Sequence, residues 1–191
     1  MLRFECDYNE GCCPEILEKL QETNFCQTPG YGEDEYCATA RRIVRTLCGR
    51  EDADVHFLVG GTQANLTVIA AALRPYQGVL SASTGHINCH ETGAIEGTGH
   101  KVLSHPSSDG KITAGQAEEA CDAHWGDATH EHMVQPGMVY LSNPTENGTL
   151  YSKAELAAIS EVCRARGLWL FLDGARLGYG LMSEKNDLTL P

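Results

Sequence analysis

Asp173 and Arg176 close the stretch L-W-L-F-L-D-G-A-R-L, residues 168–177, and they are residue types that can hold and polarise a ligand. The five apolar residues before Asp173 read as a short strand buried on both faces. A carboxylate at the end of such a strand lies at the carboxyl edge of a sheet, where open α/β folds place their ligands. Arg176 follows three residues on and can face the same way. The plain alternative is an Asp that caps the next turn and pairs with the Arg.

Other stretches carry chemistry-bearing side chains. In V-G-G-T-Q-A-N, residues 59–65, Gly60 and Gly61 allow a tight turn and close approach to a ligand. A helix starting there offers free N–H groups and the positive end of its dipole to a phosphate, and Thr62 adds a hydroxyl. A Thr cap after a glycine turn is the alternative. In H-I-N-C-H-E-T-G-A, residues 86–94, His86 follows a strand and a Thr-Gly turn. Its flat imidazole can stack on an aromatic ligand or exchange protons, with Glu91 about one turn further on. A metal pair of His86 and His90 lacks a third ligand nearby. S-N-P-T-E-N-G-T, residues 142–149, again sets polar side chains, Glu146 among them, after a strand; a Pro/Gly turn is the alternative. Finally, residues 121–132 gather Cys121, His124, His130 and His132. Their spacing matches no standard zinc site, so a solvated loop is expected and no metal is assigned.

These residues need elements to carry them. Residues 1–13 read as an irregular arm, and residues 14–191 as one domain. Pro14 opens a helix to Thr23, with Ile16, Leu17 and Leu20 on one face. A second helix runs from Glu35 to Cys48 and is closed by Gly49. Alternation of Val55, Phe57 and Val59 predicts a strand over 54–59. Helices are then expected over 62–73, 88–96, 113–123 and 152–165. The last two are opened by the capping boxes Thr113/Gln116 and Ser152/Glu155. Strands are expected over 78–82, 101–103, 138–142 and 168–172. Strands alternating with helices imply an α/β fold: three layers, a mostly parallel sheet and helices on both faces.

Composition narrows the partners. The formal net charge is −12, with 26 acidic against 14 basic residues, and no basic cluster stands out. Nucleic acid and an anionic membrane surface are thus poor partners. No apolar run is long enough to span a bilayer, and the first residues lack the apolar centre of a signal peptide. Nine scattered cysteines without a C-x-x-C are expected to be reduced thiols, which points to the cytoplasm.

Taken together, a phosphate cradle, a stacking His and an Asp–Arg pair at one sheet edge suit a phosphorylated aromatic cofactor whose ring nitrogen wants a carboxylate. Pyridoxal 5'-phosphate fits that description. At this point the chain resembles the threonine aldolase / β-eliminating lyase family of fold-type-I pyridoxal-phosphate enzymes. The resemblance rests on G-T-Q-A-N (Gly61 to Asn65), on His86 with Glu91, Gly93 and Ala94, on D-G-A-R (Asp173 to Arg176), and on Y-G-E-D (Tyr31 to Asp34).

The resemblance implies that Gly60, Gly61 and Thr62 hold the phosphate, and that His86 stacks on the ring and can act as a base. It implies that Asp173 pairs with the ring nitrogen and that Arg176 reaches the ring's phenolic oxygen. Tyr31 belongs to the loop that lines the active site in that family, near a subunit interface. The implied reaction is retro-aldol cleavage of a β-hydroxy amino acid to glycine and an aldehyde, by a homodimer or homotetramer. The alternatives are β-elimination on an amino acid and a non-catalytic remnant of the fold that serves binding. Two departures stand out. Glu146 takes the place of a second His that many such aldolases carry. The family's cofactor-binding lysine, expected downstream of D-G-A-R, has no counterpart before Pro191, since Lys185 lies in a polar S-E-K-N-D segment. The chain is therefore expected to represent the N-terminal arm and most of the large domain, without the C-terminal small domain, and to be inactive alone.

Overall fold

The computed structural model describes residue 3 and residues 5–190. They fall into two compact units, divided after His56. The described residues of the arm, up to Cys13, form no helix or strand.

The first unit holds helix α1 (Pro14–Thr23) and helix α2 (Glu35–Leu47). Asp34 caps α2 by accepting from Cys37 N at 2.9 Å. Arg41 and Arg45 fasten the chain that leaves α2: Arg41 Nε donates to Val55 O at 3.2 Å and Arg45 Nε to Ala53 O at 2.7 Å. These side-chain bonds displace an expected element. The alternating stretch 54–59 forms no strand. Alternation describes a half-buried strand, and that needs a neighbouring strand to take its backbone groups. Here a guanidinium takes the Val55 carbonyl instead.

In the second unit the elements run in order α3 (Gly61–Ala72), β1 (Gln77–Ala82), α4 (His86–Cys89), α5 (Ala94–Gly97), β2 (Val102–His105), α6 (Ala114–Gly126), β3 (Gln135–Ser142), α7 (Lys153–Arg166), β4 (Trp169–Asp173) and α8 (Leu177–Leu181). The four strands are parallel in the order β2-β1-β3-β4. Both expected capping boxes form, at Thr113 and Ser152.

Side-chain alternation along the strands builds two cores. Val79, Met138 and Tyr140 join Ile69, Leu73, Ile87 and Ile95 on one face. Leu80, Val139 and Leu141 join Ala117, Ile159 and Cys163 of α6 and α7 on the other. The three-layer α/β arrangement is the expected one.

Two further expectations need correction. The helix predicted over 88–96 is two short helices, α4 and α5, because Thr92 (φ 50°) and Gly93 (φ 75°) turn left-handed between them. That break turns Glu91 inward, to 3% exposure. The strand β4 is not buried on both faces: Trp169 is 61% and Leu170 38% exposed. Within this sheet β4 has a single strand neighbour, β3, and of the apolar run only Leu168 and Phe171 pack against a core cluster.

Candidate active site

The carboxyl ends of β1, β3 and β4 converge. Asp173 ends β4 in register with Ser142, the last residue of β3. His86 opens α4 just past β1, after a turn that Gly85 makes possible: a Cβ there would overlap Ser81 Oγ.

Around these positions the hydrogen bonds close into a ring. His86 Nδ1 lies 2.7 Å from Glu91 Oε1, the oxygen to which Asn65 Nδ2 donates at 2.6 Å. Asn65 Nδ2 also donates to Asp173 Oδ2 at 3.0 Å. Tyr140 Oη donates to that same oxygen at 2.6 Å. Tyr140 Oη is 3.3 Å from Ser142 Oγ, which donates to Glu146 Oε1 at 2.6 Å. His86 N donates to Glu146 Oε1 at 2.9 Å, and the ring is complete.

The ring has an acid-rich, donor-matched character. Asp173 Oδ2 takes two donors and Oδ1 takes Ala175 N at 3.3 Å, so the carboxylate is oriented from three sides. Burial, reinforced by Asp173, pushes the Tyr140 hydroxyl well above the ordinary tyrosine range, so it remains a donor. The Glu91 side chain is 0% exposed and that of His86 39%. A half-open imidazole thus leans on a buried acid. Glu91 Oε2, Glu146 Oε2 and the nearby Thr84 Oγ1 are buried with no hydrogen-bond partner. Unmatched buried polar atoms of this kind suit a site that a ligand completes.

The expected phosphate cradle is open. Gly60 precedes α3, and a Cβ at Gly60 or Gly61 would meet nothing within 4 Å. No acidic residue occupies the first turn of α3, whose leading N–H groups have no partner inside the helix. Asn65 lies four residues beyond Gly61 on the same helix, about 6 Å along its axis. The cradle and the ring that holds Asp173 are therefore two ends of one short span. These residues fit pyridoxal phosphate: backbone donors for its phosphate, and a fixed acceptor, Asp173, for its ring nitrogen.

Other expected residues fall as follows. Arg176 is half-buried and occupies the N-cap position of α8. Tyr31 belongs to the first unit, where it is fully exposed at a left-handed turn (φ 61°); the ring is drawn entirely from the second. Lys185 is exposed. His124, expected in a solvated loop, is instead 4% exposed and lies on α6. Among the described residues, no group of three or more His, Cys, Asp or Glu is placed to hold a metal ion. Three ring members went unassigned in the sequence: Asn65, Tyr140 and Ser142. Asn65 and Ser142 stood inside quoted stretches, and a polar residue one helical turn past the glycine pair was the available signal. Tyr140 reads as an ordinary core position.

A parallel sheet with helices on both faces and a polar ring at its carboxyl edge defines a three-layer α/β protein with a candidate ligand site at that edge. The profile of the beta-eliminating lyase family matches residues 6–180, and the chain belongs to that family. A low-specificity L-threonine aldolase from Pseudomonas aeruginosa is 34% identical over 176 residues, 91% of this chain and 49% of that protein. The structure of a Leishmania major threonine aldolase superposes with TM-score 0.92 at 51% identity, covering 96% of this chain and 53% of that one. Cystalysin from Treponema denticola, whose crystal structure contains pyridoxal 5'-phosphate, shares the fold at TM-score 0.58 and 17% identity, over 85% of this chain and 40% of its own. The chain spans about half the length of the curated relatives it matches.

Proposed function

We propose that the protein is a pyridoxal-phosphate-dependent lyase that cleaves β-hydroxy amino acids to glycine and an aldehyde. The observation that carries this reading is the hydrogen-bonded ring joining Asp173 to His86 beside the open N-terminus of α3. When bound, pyridoxal phosphate supplies an electron sink for the pair released as a bond at the substrate's α-carbon breaks.

The chain's own residues do the rest. Gly60, Gly61 and Thr62 bind phosphate through N–H groups and a hydroxyl. Asp173 orients the cofactor by accepting at its ring nitrogen, and Arg176 donates to its phenolic oxygen. His86 covers the ring with its imidazole and takes the β-hydroxyl proton, with Glu91 at its Nδ1. Glu146 holds the start of α4 through His86 N and keeps a second, unpartnered oxygen for the substrate side. Tyr31 is kept as a substrate-loop residue on the strength of the Y-G-E-D resemblance.

The substrate is an amino acid, and the assembly is a homodimer or homotetramer. Nine free cysteines support a reducing compartment and hence the cytoplasm. Among the described residues no helix is long and apolar enough to cross a membrane. The deciding experiment is an assay of the whole protein with pyridoxal phosphate for glycine release from threonine and allo-threonine. Release from either supports the aldolase reading. Ammonia and a keto acid without glycine would replace it by β-elimination, and cofactor binding without turnover would leave a binding protein.

A further inference from the structure

Asn65 is the hinge of the ring. Its Nδ2 sits between two carboxylates, 2.6 Å from Glu91 Oε1 and 3.0 Å from Asp173 Oδ2. The opposite amide orientation would aim an oxygen at two acceptors, so the NH2 end must face them. An amide nitrogen donates and does not accept. Glu91 Oε1 is therefore an acceptor toward Asn65, and it is the same oxygen that meets His86 Nδ1 at 2.7 Å. The other Glu91 oxygen is buried without a partner and is the place for any proton on this carboxyl. Oε1 thus stays an acceptor in either charge state, and His86 Nδ1 has to donate to it.

We propose that Asn65 is a positioning residue: through Glu91 Oε1 it holds His86 as the Nδ1–H tautomer, which leaves Nε2 as the imidazole's acceptor, and its second hydrogen fixes Asp173. One buried amide thereby sets both a proton acceptor and the carboxylate 108 residues further along the chain. The consequence for catalysis rests on the reading given under Proposed function. The tautomer itself does not, because it is a property of the protein without cofactor or substrate.

The test exchanges the two groups. In Asn65→Asp/Glu91→Gln the amide and the carboxylate trade places with little change of shape, and the carboxyl introduced at position 65 shares one proton with Asp173, because the atom it replaces lies 3.0 Å from Asp173 Oδ2. The amide introduced at position 91 then turns its NH2 toward the carboxylate introduced at position 65 and toward His86, and the His86 tautomer reverses to Nε2–H. The readout is long-range 1H–15N correlation of the whole protein, labelled with 15N-histidine, at a pH where the imidazole is neutral. The His86 signals are identified by their loss in His86→Gln. An Nε2–H tautomer in the unaltered protein, or an unchanged tautomer in the exchanged one, overturns the proposal. If the exchanged protein does not fold, Glu91→Gln alone decides: Asn65 holds the new amide oxygen toward Nδ1, the Nδ1–H form persists, and its loss overturns the proposal. A parallel titration with pyridoxal phosphate keeps the two ideas apart, since a protein that binds no cofactor yet shows the expected tautomers refutes the function and not the role of Asn65.

Discussion

Two histidines set the environment proposed for a working imidazole beside that of a packed one. His86 is half-open, has a buried carboxylate 2.7 Å from its Nδ1, and sits where three strands end. His124 is 4% exposed, packs edge-on against Trp125 at 4.8 Å, and its Nδ1 is buried without a hydrogen-bond partner. Each has a second histidine at the same distance, His90 beside His86 and His130 beside His124, with 5.6 Å between ring centres. Among the described residues, His124 has no acid at hydrogen-bond distance. Burial, and then His130, pull the His124 pKa below the ordinary histidine value. Under the proposed function, a carboxylate held at one nitrogen of a half-exposed ring matters more than the local density of ligand-type residues.

The contrast can be broken at several points. Asp173→Ala should act most strongly, because Asp173 is the point where the donors of Asn65, Tyr140 and Ala175 meet. We expect kcat/KM for glycine release to fall at least about 10³-fold, together with loss of tight cofactor binding by absorbance titration. His86→Phe keeps a flat ring but no proton acceptor, and kcat should fall about 10²- to 10⁴-fold with cofactor binding largely retained. Glu91→Ala leaves His86 in place without its partner, and a loss of about 10- to 100-fold is expected, of the order known for groups that orient a histidine. By the same steady-state assay, His124→Phe should leave kcat/KM within about twofold. An effect of His124→Phe as large as that of Glu91→Ala would erase the distinction between the two neighbourhoods.

The smallest expected effect is on stability. His124 has a folded pKa below its unfolded value of about 6.5, so the unfolded chain takes up the proton first as pH falls. The stability it contributes is present above about pH 6.5 and is lost below it, at no more than about 1.4 kcal/mol per pH unit. His124→Phe has no such proton to take up. Thermal melts of the two proteins should therefore shift relative to one another between about pH 7 and pH 5, with the unaltered protein losing ground as pH falls. A difference between them that does not change with pH would sink this account.

The fold was largely legible because its signals are local. Capping boxes at Thr113 and Ser152, the glycine pair at 60–61 and the short apolar strands all sit within a few residues of what they determine. The site was legible only as far as its motifs reached. Asp173, His86 and Gly61 carry their chemistry in neighbouring letters. Asn65 and Tyr140 carry theirs across 108 and 33 residues, through contacts that exist only after the sheet has formed. The failures have the same origin. Whether the 54–59 stretch becomes a strand depends on a neighbour for its backbone, and whether β4 is buried depends on what flanks it. The break at Thr92 and Gly93 is the exception, a local signal, since T-G is a plain turn dipeptide that the helical spacing of the flanking residues concealed.

Tyr140 gives the molecule an asymmetry that matters for protein engineering. Its ring belongs to the apolar layer of Ile69, Val79 and Ile95, while its hydroxyl reaches Asp173. Residues of the opposite layer, such as Leu80, Val139 and Ile159, have no such link to the polar ring. Libraries that repack the first layer for thermal tolerance will tilt that phenol and shift reactivity with it. The α6–α7 layer can be redesigned as ordinary filling, and it is where stability can be raised with the chemistry left alone.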